Sequence, residues 1–77
     1  MLSEVFVIEG VLSAPTFEGW VRSHADRIGV AARFRESGAD SVSVLVEGPP
    51  ALLDAMEMAC LLGPIDVWVE RIVREAA

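Results

Sequence analysis

Between two stretches of strand-like alternation the chain carries Phe17, Trp20, Val21, Ala25 and Ile28, apolar residues separated by three or four positions, the spacing of a helix face. The first strand-like stretch runs from Ser3 to Leu12, with VFVI at its centre and Gly10 placed for a bulge or a close backbone approach. Thr16 is positioned to cap the helix after it, and Gly29 to stop that helix. Val30 to Glu36 returns to strand, SGAD turns the chain, and Ser41 to Glu47 alternates cleanly, so these two segments predict a hairpin. EGPP is a break, Pro50 suits the first position of a second helix reaching about Leu62, and Gly63 and Pro64 close it. Ile65 to Val73 is the last predicted strand.

The resulting order is β-α-β-β-α-β, the split βαβ arrangement of an α+β, ferredoxin-like sandwich. Its expected form is a four-stranded antiparallel sheet of order 4-1-3-2 with both helices on one face. Seventy-seven residues leave room for one domain, over 1–77, in which folding buries only about 60% of the chain's surface. An apolar share of 53% argues against disorder, and no apolar run approaches the ~18 residues of a membrane span. Twelve acidic residues stand against six arginines and no lysine, for a net charge of -6. That balance excludes nucleic acid as the expected partner, and it excludes a polybasic membrane patch. The single cysteine, Cys60, sits in AMEMACLLG and reads as a buried thiol. MLSEVF carries no secretion signal, so the expected location is cytoplasmic.

Glu9-Gly10, Phe17, Val21, Ala25, Ile28 to Val30 and Val46 to Pro49 stand in a gap-free spacing that resembles the acylphosphatase framework over nearly the whole chain. In that family the first strand is followed by a turn of the type V-Q-G-V-G-F-R, whose amides and arginine hold a phosphate. Its second strand ends in W-V-R-N, whose asparagine positions the attacking water. The resemblance lays the anion turn on Ser13, Ala14, Pro15, Thr16 and Phe17 and puts Glu18 at the arginine position. It lays the second motif on Arg33 to Glu36 and puts Glu36 at the asparagine position. No catalytic residue of the family is therefore expected to survive.

The replacements oppose the family's reaction. Acyl-phosphate hydrolysis depends on positive charge and N–H donors where transition-state charge collects, and Glu18 reverses that sign. Pro15 has no N–H, and Ala14 and Thr16 stand where glycines would let the backbone curl around an anion. Glu18 in a first helical turn instead interacts favourably with the helix N-terminus, by roughly 0.3–1 kcal/mol. Arg22 and Arg35 are the residues that could rescue anion binding. The resemblance brings Glu18 and Glu36 together, but two carboxylates fall short of the oxygen cage a hard cation needs, so no metal and no cofactor are expected. His24 reads as a surface residue, and Arg33 and Arg35 as charges on one face of an edge strand. The expectation is an acylphosphatase-like domain that has lost catalysis and acts by protein binding, through an unidentified partner or as a homodimer using Trp68 and strand four. The greasy second helix is a further candidate surface. The alternative is a divergent acylphosphatase that cleaves the carboxyl-phosphate bond with help from Arg22 or Arg35.

Overall fold

The computed structural model describes residues 1–13 and 16–77. Its elements are β1 (Leu2–Val11), α1 (Phe17–Ile28), β2 (Ala31–Ser37), β3 (Ser41–Gly48), α2 (Pro50–Leu62) and β4 (Trp68–Ala76). The antiparallel sheet has the order β2-β3-β1-β4, which is 4-1-3-2 read from the other edge. β1 sets the layering by simple alternation. Phe6 and Ile8 are buried together with Val42, Val44 and Val46 of β3, with Phe17, Val21 and Ala25 of α1, and with Leu53, Met56 and Cys60 of α2. Both helices thus share one face of the sheet, and each fully buried large side chain contributes roughly 1.5–3 kcal/mol. The alternate residues Val5, Val7, Glu9 and Val11 line the opposite, open face.

Helix boundaries follow the local chemistry. Gly29 adopts the left-handed region at φ 86° and returns its N–H to the carbonyls of Ala25 and Asp26, a conformation that costs a glycine little. Pro50 occupies the first turn of α2, where no N–H is needed. Thr16 holds the position before α1, but its hydroxyl does not cap the helix. It donates to Asp66 at 3.2 Å and so ties the entrance of α1 to the loop before β4.

The edge strands depart from strict alternation, and both do so in the same way. In β2, Phe34 faces Val44 and Glu36 faces Ser43, which leaves Arg35 as the extra residue of a bulge. In β4, Arg71 faces Glu9 and Val69 faces Gly10, which leaves Glu70 as the extra residue. Each bulge inverts the facing of every later residue in its strand. Arg33 and Arg35 consequently do not form an uninterrupted row, and Val69 and Ile72, which strict alternation would set on opposite faces, both pack toward the core. β4 also begins three residues later than its sequence suggested. The N–H of Val67 donates to the Pro64 carbonyl at 3.2 Å, keeping that stretch in a turn, while β1 supplies partners as far as Ala76. Gly10 is required at the β4 bulge: a Cβ there would stand 2.0 Å from the Trp68 carbonyl oxygen, at a φ of 155°.

The same phase change carries Arg74 to the helix-covered face. Its guanidinium lies 2.6 Å from Glu4, 2.7 Å from Asp54 and 2.9 Å from Glu57, with its carbon 5.2 Å from the centre of the Phe6 ring. Hydrogen bonds to Asp54, Glu57 and Glu4, opposed only by burial, raise its pKa further above the ordinary arginine value. Beside it on α2, burial and then the charge of Glu57 push the Cys60 thiol up to about 12.

Candidate functional site

The β1–α1 junction meets the β2–β3 hairpin at one end of the sheet. The N–H of Leu12 donates to the carbonyl of Ala39 at 2.8 Å, and that of Gly10 to the carbonyl of Asp40 at 3.1 Å, so the hairpin turn is fastened beside the start of α1. Between them lies a cavity of about 390 Å³. Leu12, Phe17, Phe34 and Val42 give it apolar walls. Ser13, Glu18 and Ser37 supply its polar side chains, and Gly38 and Ala39 form the turn side.

Glu18 stands on this wall because it comes directly after Phe17, whose ring is buried in the core at the first position of α1. Its carboxylate is 44% exposed and already has two donors. Arg22, one turn along, reaches it with Nη2 at 2.7 Å, and the Ser37 hydroxyl donates to its other oxygen at 3.2 Å. The Arg22 guanidinium also lies 5.1 Å from the centre of the Phe34 ring. The cation next to the cavity is therefore spent on the carboxylate that lines it, and the local charge toward an anion is unfavourable.

The remaining sequence candidates separate into those inside and those outside this cavity. Ser13 and Phe17 line it. Thr16 is engaged with Asp66, and Ala14 and Pro15 lie outside the described residues. Glu36 is exposed on β2 opposite Ser43 and is not part of the cavity wall, so it does not join Glu18 there. Arg35 is exposed at the bulge and has no ion-pair partner among the described residues. The residue that sequence spacing missed is Ser37. The extra residue at Arg35 turns Ser37, in register with the buried Val42, to the side where Glu18 waits. His24 stacks on Trp20 at 5.6 Å between ring centres, and Trp20 in turn on Phe17 at 6.4 Å, a row along α1 leading away from the cavity. Among the described residues no three metal-ligating side chains gather at one point, and no helix is long and apolar enough to cross a membrane.

No family model and no curated protein matches the sequence. Solved structures do resemble the fold. The chain superposes on the crystal structure of an acylphosphatase from Bacillus subtilis with a TM-score of 0.88 and 23% identity, covering 100% of this chain and 86% of that one. An acylphosphatase from Coxiella burnetii gives the same TM-score at 14% identity, covering 99% and 80%. The domain is acylphosphatase-like in fold from end to end, with the element order and sheet order expected of it.

Proposed function

We propose that this acylphosphatase-like domain does not hydrolyse acyl phosphates and acts by binding, either to another protein or to a second copy of itself. The observation that carries this reading is the Glu18 carboxylate on the cavity wall, held by Arg22 and Ser37. A phosphate oxygen brought to ~4 Å from it would meet a repulsion of about 4 kcal/mol at an effective dielectric near 20. The solvent around a half-exposed carboxylate reduces that figure. The remainder still opposes the few interactions a ligand as small as acetyl phosphate can make. On the binding side, Trp68 at the start of the edge strand β4 is 69% exposed, and Leu62 and Ile65 before it are more exposed still. Large apolar side chains left this exposed in the segment 62–68 are what a binding surface offers.

A second reading has one observation in its favour. Arg22 stands against Phe34, whose ring is part of the cavity wall, and would be available to an anion if Glu18 released it. In that case the domain is a divergent hydrolase of the carboxyl-phosphate bond. The deciding experiment measures turnover of benzoyl phosphate by the wild type and by the Glu18→Arg, Glu36→Asn double variant. The proposal expects the wild type to match background, and turnover in the range of an ordinary acylphosphatase would overturn it.

A further inference from the structure

The cavity between the β1–α1 junction and the β2–β3 turn has the chemistry of an acceptor site. Glu18 only accepts hydrogen bonds, and each of its oxygens has acceptor capacity beyond the one donor it already holds. The Ser37 hydroxyl spends its proton on Glu18, so toward a ligand it too can only accept. Of the lining backbone groups, the N–H of Leu12 is taken by the Ala39 carbonyl and that of Gly38 by the Ser41 carbonyl. Leu12, Phe17, Phe34 and Val42 surround these groups with apolar wall. Glu36 precedes Ser37 and Asp40 follows Ala39, both exposed, and Arg35 is the one cation over 34–40. A single carboxylate on the wall is too small a ligand set for a bare metal ion. These features suit an organic cation that carries several N–H donors on an apolar stem.

The chain itself shows which cation. Arg22 sets its guanidinium 2.7 Å from Glu18 Oε1 and the guanidinium carbon 5.1 Å from the centre of the Phe34 ring, between a carboxylate and an aromatic face. A planar guanidinium suits that pair of contacts, because it bonds the one and stacks on the other. Arg22 holds the place weakly. An exposed ion pair one helical turn apart is favoured by only about a factor of two in equilibrium constant, so a guanidinium arriving from outside displaces it at little cost.

We infer that this cavity seats an arginine side chain of a protein partner, which takes the place of Arg22 between Glu18 and Phe34. The surroundings favour a protein over a free guanidine. Val11 pairs with Trp68 at this same end of the sheet, and Thr16, next to Phe17, holds Asp66. The exposed side chains of Ile65 and Trp68 therefore stand at the cavity's end of the domain and offer a partner apolar contacts beside its anchored arginine. The inference rests on the binding role proposed above and names the group that the partner presents.

Titrations of the nitrogen-labelled chain, followed by backbone amide resonances, test it with three probes: propylguanidinium, its uncharged isostere propylurea, and the blocked peptide acetyl-Gly-Arg-Gly-amide. Propylguanidinium binds in the millimolar range and moves the amides of Glu18, Ser37 and Gly38, and the peptide binds at least as tightly. Propylurea binds at least ~5-fold more weakly, since it has the shape without the charge. Glu18→Gln costs propylguanidinium at least ~5-fold, and Arg22→Gln, which removes the resident competitor, tightens it about 2-fold. The amide spectrum of each variant reports its folding in the same experiment. Equal affinity for propylguanidinium and propylurea, unchanged affinity in Glu18→Gln, or an Arg22→Gln variant that fails to tighten overturns the inference. Binding of propylguanidinium without binding of the peptide overturns the protein partner in favour of a free guanidine. Movement of the same amides when the chain alone is concentrated overturns it in favour of a second copy. Benzoyl phosphate turnover measured on the same samples judges the proposed function separately: no cation binding and no turnover defeats only the arginine, and turnover defeats the binding role whatever the cation does.

Discussion

Glu18 occupies a place where its neighbours decide its effect. Its position in the sequence was legible because the spacing from Gly10 to Phe17 runs without a gap, and its two donors were not, since Ser37 reaches it only after a bulge that no apolar pattern announces. Glu18→Arg is expected to gain binding of inorganic phosphate, detected by calorimetry, before it gains any hydrolytic rate, because Glu36 lies outside the cavity and no amide side chain of the described residues lines it to position a water. Cys60 gives a second prediction at this scale. Its thiol is raised from 9.0 to about 12 in the folded chain, so between those values the unfolded chain loses its proton while the folded one keeps it. The contribution is complete below pH 9 and disappears as pH rises through 12. Stability therefore falls with a slope of up to roughly 1.4 kcal/mol per pH unit from this group. Denaturant titrations of wild type and Cys60→Ala at pH 8, 9.5 and 10.5 should show that slope in the first and its absence in the second.

At the scale of elements, all six segments and their order were legible: α1 from its apolar stripe, the strands from β-rich and alternating runs, and α2 from Pro50 at its start and Gly63-Pro64 at its end. Periodicity misplaces the faces of both edge strands beyond their bulges. A bulge adds one residue without changing composition, so VWVERIV reads as unbroken alternation while the chain inverts its faces at Glu70. The most consequential side chain hidden by that inversion is Arg74, which joins β1, α2 and β4 through Glu4, Asp54 and Glu57. Arg74→Met should lower unfolding free energy by roughly 1.5–3 kcal/mol in urea titrations, as three carboxylates lose a charged donor. Unchanged stability would mean that the carboxylates turn fully into water once the guanidinium is gone. Gly10→Ala tests the bulge itself. The added methyl meets the Trp68 carbonyl, so a loss of at least ~2 kcal/mol is expected from strain and displaced pairing of β4.

For the whole molecule, the exposed corner at Trp68 separates stability from association. The indole is 69% exposed, so Trp68→Glu should change the unfolding free energy by no more than a surface substitution does, within about 0.5 kcal/mol, while weakening association measured by light scattering. Equal losses of both would mean that the ring supports its own domain. The sheet order also bears on time. β1 lies in the interior of the sheet between β3 and β4, so its two neighbours are supplied by distant parts of the chain. During synthesis at 5–20 residues per second, the last strand emerges after the first by on the order of 3–12 s. Until β3 emerges VFVI has no sheet partner, and from then until β4 follows it has β3 on one side and bare hydrogen-bonding groups on the other. The emerging polypeptide is thus most open to misassociation at its own N-terminal strand, and chaperone demand should end when Trp68–Ala76 leaves the ribosome and fills the vacant side.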